Sequence, residues 1–237
     1  MPVQPNTAEV IARVRADNLT FLTAALLREL AAAVEETESA RRPGLIIEAG
    51  AALGGSAIVM AAAKSRGRAM RVYDAFAMIP PPSVKDGEQV NRRYAKIVAG
   101  RARGVGGDLY YGYRDDLLGE VTASFERYGL PVGPSGVTLV KGYFEDTLQV
   151  DEPVALAHLD SDWYESTMTC LERIEPHLVP GGRLIIDDYF MWPGCRRAVD
   201  EYFEGRTGYE MVKRRRLHVV KAVEKHPGAR WRPWSNR

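Results

Sequence analysis

The chain has little sulfur, almost no excess charge of either sign and no long apolar run. Two cysteines in 237 residues, Cys170 and Cys195, are too few for a disulfide framework or a thiolate zinc set. That scarcity fits a reducing compartment, so the sequence predicts a cytoplasmic protein. Lysine and arginine number 32 against 31 aspartates and glutamates, leaving a formal charge of +1. So even a balance argues against a dedicated nucleic-acid binder. The opening "MPVQPNTAEVIARVRADN" lacks the apolar centre of a signal peptide. The most apolar helical stretch, "FLTAALLRELAAAV", is short and carries Arg28 and Glu29, which excludes it as a bilayer span. No internal repeat is visible. A soluble protein with a small-molecule partner is expected, rather than one that binds nucleic acid or membrane.

Proline and glycine are also missing from residues 7–38, which are rich in Ala, Leu, Glu and Arg. One or two helices are expected there, as an N-terminal extension over residues 1–40. These long helices suggest a homo-oligomer. After "RRPG" come short, continuously apolar runs at 45–50, 70–76, 137–143, 154–160 and 183–189. Continuous rather than alternating apolarity predicts parallel strands covered on both faces. Helical patterns at 55–66, 117–129, 165–178 and 194–205 separate them, and "YEMVKRR" and "LHVVKAV" read as a closing antiparallel pair. The fold class is therefore α/β, a doubly wound sheet within a domain over 41–225. Residues 77–116 break the rhythm with a proline run, glycines and three tyrosines, and read as a long loop acting as a lid. Residues 226–237 form a basic tail with two tryptophans, expected to pack on its own domain or on a partner subunit.

Ligands of such sheets bind beyond the carboxyl ends of the strands. "IIEAGAALGGSA" reads as a strand, a glycine turn and a helix start. Gly50, Gly54 and Gly55 allow close backbone approach, and Ser56 is placed to cap the helix. Asp74, ending the next strand, stands where an acid holds two ribose hydroxyls. The spacing is G-x-x-x-G-G rather than G-x-G-x-x-G, and Glu48 sets a carboxylate where a pyrophosphate needs open amides. A cationic ligand suits that acid, and S-adenosylmethionine has an ammonium and a sulfonium but no phosphate. Asp160 ends one later strand, and Asp187 and Asp188 end the next. Three carboxylates at one sheet edge repel unless a cation compensates them. Oxygen ligands without His or Cys select a hard ion, Mg²⁺. Asp162 either caps the following helix or faces this site. His158 reads as an interior histidine, and His218 as structural.

These residues resemble the macrocin O-methyltransferase family, whose members methylate sugar hydroxyls of antibiotics with S-adenosylmethionine and Mg²⁺. The match runs in order from about residue 45 to 203 and includes "YDAFAMIPPP", "VKGYFEDTL", "LDSDWYEST", "GGRLIIDDY" and "PGCRRAVDEYF". The resemblance implies a class I methyltransferase fold with a seven-stranded, mostly parallel sheet. It implies that Glu48 and Gly50 lie near the methionine part, Asp74 and Phe76 near the ribose, and Gly142, Tyr143, Phe144 and Glu145 near the adenine. It also implies that Asp160, Asp187 and Asp188 hold the metal, with Asp160 beside the cofactor.

A sugar hydroxyl is a poor acid, so its methylation needs a base. Catechol-type relatives place a lysine three residues after the first metal aspartate, where this chain has Trp163. Asp160 and Asp162 are the candidates instead. Tyr110, Tyr111 and Tyr113, with Trp163 and Tyr164, are candidates for a stacking wall behind a sugar ring. A phenolic acceptor, a nicotinamide-dependent oxidoreductase and an inactive methyltransferase-fold subunit are the competing readings.

Overall fold

A computed structural model describes residues 5–223. The tail at 226–237, with its expected packing, lies outside the described residues. Two helices open the chain, α1 (Thr7–Ala16) and α2 (Ala24–Ser39). Asn6 caps α1 by accepting from the amides of Ala8 and Glu9, and Thr23 caps α2 through Leu26. Strands β1 (Leu45–Ala49), β2 (Met70–Asp74), β3 (Val137–Lys141), β4 (Val154–Leu159) and β5 (Leu178–Ile186) follow. Helices α3 (Gly55–Ala63), α4 (Glu88–Val98), α5 (Leu117–Arg127) and the short α6 (Phe144–Thr147) lie between them. Then come α7 (Tyr164–Ile174), α8 (Pro193–Phe203) and the closing strands β6 (Tyr209–Lys213) and β7 (Leu217–Lys221).

The seven strands form one sheet in the order β3-β2-β1-β4-β5-β7-β6. β1 to β5 run parallel, while β7 lies antiparallel to β5 and β6 antiparallel to β7. Alternate residues of one strand serve opposite cores, which is why the runs are apolar throughout. Ile46 and Ile185 face a core built by α1, α2, α3 and α5, with Val14, Leu30, Ile58 and Phe125. Ile47, Leu184 and Ile186 face a second core with Leu171, Ile174, Val199 and Phe203 from α7 and α8. The N-terminal helices thus complete one of the two helical layers. Both cysteines are free and buried. Among the described residues no helix is long and apolar enough to cross a membrane.

Two boundaries differ from expectation. α7 stops at Ile174 and a single 3₁₀ turn over 175–177 carries Pro176. β5 then begins at Leu178, five residues before the expected Arg183, with a register shift against β4. Residues 77–116 are also not a plain loop, because α4 lies within them. Val90 and Ile97 are buried along its inner face. The flanking prolines and glycines hid this short amphipathic pattern.

Candidate active site

The carboxyl ends of β1 to β5 open into one cavity of about 410 Å³. Gly50 ends β1 with φ +92°, and a Cβ there would stand 1.9 Å from the Asp160 carbonyl oxygen. Only glycine lets the β1 and β4 ends close to this distance. Gly50, Asp74, Gly142, Tyr143, Phe144 and Glu145 line one half of the cavity. The Asp74 carboxylate accepts from the amides of Ala51 (2.7 Å), Ala52 (2.8 Å) and Phe76 (2.6 Å). Oδ2 takes both the Ala51 and Ala52 amides, so Oδ1, bonded to Phe76 alone, retains an acceptor site for a ligand hydroxyl. Burial raises its pKa, and those three amides work against the rise.

Other predicted cofactor residues stand away from the cavity wall. Phe76 is buried with φ +44°. Gly54 is the N-cap of α3 at φ +83°, and a Cβ there would meet Val121 at 2.8 Å. Ser56 does not cap α3: it sits inside the first turn, buried, and no side chain fills the cap. The left-handed glycine at the cap position replaces a side-chain cap. Glu48 is fully buried beneath the floor. Its register neighbour on β4 is His158, and Oε1 lies 3.0 Å from His158 Nδ1. Glu48 Oε2 is buried without a hydrogen-bond partner among the described residues.

Asp160, Asp162, Asp187 and Asp188 all face the cavity. Ligand atoms of His158, Asp160 and Asp187 lie within 4.8 Å of one another. Asp188 stands outside that set, accepting from the Asp162 amide at 3.3 Å and hydrogen-bonded to the Asp160 side chain. His158 Nε2 lies 3.2 Å from Asp187 Oδ1. Burial opposes a charged His158, but Asp187 and Glu48 outweigh it and push the imidazole up to about 9. Both ring nitrogens therefore donate. Asp187 Oδ1 also accepts from Arg216 Nε, whereas Oδ2 carries no bond among the described residues. Burial works against Asp187 ionising, yet His158 and Arg216 together hold its pKa down. Asp160 and Asp188 go the other way, well above the carboxylate range, through burial and the repulsion of their neighbouring acids. A divalent cation relieves that repulsion, so this oxygen-rich floor fits a hard metal ion.

Asp162 takes the left-handed conformation, φ +55°, and Trp163 holds the N-cap position of α7 without a side-chain bond. Asp162 is thus no helix cap and faces the cavity. Burial pushes it up to about 6, with Arg93 and a hydrogen bond from Trp192 pulling against Asp187 and Asp74. Tyr111 lines the cavity, with its ring 4.3 Å from Tyr110 and 6.4 Å from Phe21. Three of the expected wall residues are anchors elsewhere. Tyr113 donates its hydroxyl to the Ile97 carbonyl. Trp163 is 1% exposed and donates Nε1 to the Pro80 carbonyl at 3.0 Å. Tyr164 bonds Glu201 through its hydroxyl (2.5 Å) and Asp86 through its amide (2.6 Å). Trp163 and Tyr164 therefore fasten the 77–116 insertion to α7.

Sequence reasoning missed Phe21, Leu22, Arg93, Met191, Trp192 and Arg216, which all line the cavity. Trp192 stands only four residues past Asp188 and was within reach of a motif argument. The others come from segments that only the topology brings together.

Known proteins resemble this chain in sequence and in fold. A family model described as Macrocin-O-methyltransferase (TylF) matches residues 16–214. The 8-demethyl-8-(2,3-dimethoxy-alpha-L-rhamnosyl)-tetracenomycin-C 4'-O-methyltransferase of Streptomyces olivaceus is 37% identical over 172 residues, 70% of this chain and 60% of that protein. Demethyldecarbamoylnovobiocin O-methyltransferase of Streptomyces niveus is 32% identical over 182 residues, 74% of this chain and 64% of that protein. The chain thus matches between 60% and 64% of these relatives' own length. The solved O-methyltransferase NovP shares the fold with a TM-score of 0.66 at 28% identity, covering 86% of this chain and 82% of that one. Matched from α1 to the β6–β7 turn and built on the class I methyltransferase sheet, the chain belongs to the macrocin O-methyltransferase (TylF) family.

Proposed function

We propose that the protein transfers the methyl group of S-adenosylmethionine to a sugar hydroxyl of a natural-product glycoside or nucleotide-linked sugar, with Mg²⁺ as resident ion. The observation that carries this reading is the convergence of Asp160, Asp162, Asp187 and Asp188 on the floor of one cavity, between a glycine-lined half and an aromatic half. The relatives' names, sugar and antibiotic O-methyltransferases, support the acceptor class.

Gly50 and Gly142 bring bare backbone to the donor half, where Asp74 Oδ1 offers an acceptor to a ribose hydroxyl and Tyr143 and Phe144 offer apolar surface to an adenine. Asp160, Asp187 and Asp188 would hold the ion, which supplies positive charge to an acceptor oxygen losing its proton. Asp162 takes that proton on its carboxylate, in preference to Asp160, whose side chain is engaged with Asp188. As the acceptor oxygen bonds the methyl carbon, the carbon–sulfur bond breaks and S-adenosylhomocysteine leaves. Tyr110 and Tyr111 exclude water from the acceptor side. Burial keeps both phenols protonated, with Tyr110 pushed up to about 12.

The test is a mass-spectrometric screen of glycoside and nucleotide-sugar acceptors with S-adenosylmethionine. Methylated product that disappears with EDTA and returns with Mg²⁺ is expected. Full turnover in EDTA refutes the metal assignment, and calorimetric binding of NAD in place of S-adenosylmethionine refutes the reaction.

A further inference from the structure

The acid floor contains one residue that a metal-dependent methyltransferase does not need, the Arg216 guanidinium. Arg216 is 7% exposed, lines the cavity and donates Nε to Asp187 Oδ1. It reaches this place from the turn between β6 and β7, and the turn is held from the far end of the chain. The Glu29 carboxylate, on α2, accepts from the amides of Arg215 (3.1 Å) and Arg216 (3.2 Å). The same carboxylate lies 3.0 Å from His218 Nε2, on β7. A carboxylate that grips two successive amides and the ring two residues on fixes where the intervening side chain points. Glu29 therefore aims Arg216 at Asp187.

We propose that Arg216, positioned by Glu29, is a built-in counter-cation of the acid floor: it neutralises part of the charge at Asp187 and sets how tightly a divalent ion binds there. The inference rests on the assignment of the acids to a cation, and it concerns affinity rather than turnover. Four carboxylates meet at this floor, and Arg216 lowers the cost of ionising three of them, Asp160, Asp187 and Asp188. The guanidinium stays charged at every working pH, so it cannot step aside by losing a proton. It stabilises the floor without an ion and opposes an ion that arrives. Even screened by a water-like dielectric, one guanidinium charge beside a divalent ion weakens its binding by about tenfold. Damage to the fold would act in the opposite sense, since a disordered floor binds an ion less well.

The experiment is calorimetric titration of MgCl₂ into the full chain, without S-adenosylmethionine or acceptor, for wild type, Arg216→Gln, Arg216→Lys and Glu29→Gln. Arg216→Gln is expected to bind Mg²⁺ about tenfold more tightly than wild type. Arg216→Lys, which keeps the charge, should stay near wild type. Glu29→Gln, which loosens the turn, should move towards Arg216→Gln by a smaller factor. Equal or weaker binding by Arg216→Gln, with Mg²⁺ binding wild type, overturns the counter-cation role and leaves the metal reading intact. Binding by neither protein overturns both. Should Arg216→Gln fail to fold, Glu29→Gln decides, and unchanged or weaker affinity there is the refuting result.

Discussion

Replacing Gly50 by alanine tests the close approach on which the cavity floor depends. Two costs add at this position. A side chain at φ +92° is strained by about 1–2 kcal/mol. The new Cβ also falls 1.9 Å from the Asp160 carbonyl oxygen, a backbone atom that cannot swing aside. The ends of β1 and β4 must part, which breaks the 2.9 Å bond from the Asp160 amide to the Ala49 carbonyl. Losing that buried bond costs about 1–3 kcal/mol, so the whole effect is about 2–5 kcal/mol. Gly129→Ala is the matched control: its φ is +71° and a Cβ there meets nothing within 4 Å. The control carries only the strain of about 1–2 kcal/mol. Urea unfolding followed by tryptophan fluorescence should therefore separate the two variants by the bond's share, about 1–3 kcal/mol. Unfolding free energies that agree to within about 0.5 kcal/mol would refute the reasoning, because the close approach would then carry no energy.

Asp162→Asn should keep its left-handed backbone, which asparagine tolerates, and bind S-adenosylmethionine normally by calorimetry while kcat falls about 10²–10⁴-fold; a wild-type rate refutes its role as base. Burial, aided by Arg183 and Arg214 against the pull of Glu29, holds His218 down at about 4 from an ordinary 6.5. Between those values the unfolded chain binds a proton that the folded chain refuses. Wild type should therefore lose stability relative to His218→Asn as pH falls from 6.5 towards 4, by up to about 3 kcal/mol. Urea midpoints measured above and inside that window should show the gap changing, and a constant gap refutes it. Trp163→Phe removes the bond to the Pro80 carbonyl and about 1 kcal/mol, and should speed proteolytic cleavage within the 77–116 insertion. Unchanged cleavage would show that Trp163 does not fasten it.

The parallel strands and their helical layering were legible because each parallel strand is apolar on both faces, and Ile46 and Ile47 serve opposite cores. The acids were legible for a related reason: Asp160, Asp187 and Asp188 directly follow such runs, where an uncompensated charge is expensive. The aromatic wall was not. Trp163 and Tyr164 adjoin the acids in sequence, but they sit at the start of α7 and turn into the insertion. Helix entry changes side-chain direction within one residue, and residue spacing does not record it. Glu48 was placed at the ligand because it precedes Gly50 by two, yet its partner is the histidine beside it in the neighbouring strand. Cross-strand pairing is set by register, which needs the sheet. Arg93 and Phe21 reach the cavity from segments far from any motif, through packing alone.

The grip of Glu29 on the β6–β7 turn joins residues 187 positions apart in the chain. β7 also separates β5 from β6, so the sheet is incomplete until the last strands insert. Contacts of such sequence separation form late in folding. During synthesis the cavity floor therefore gains Arg216 only after the β6–β7 turn has emerged. The parallel core can assemble earlier, with its acids in place and His158 beside Asp187 but no guanidinium yet. Clasping the first layer to the final hairpin makes the finished acid floor a product of chain closure, and a truncation before β7 would leave a folded-looking sheet with an unbalanced site.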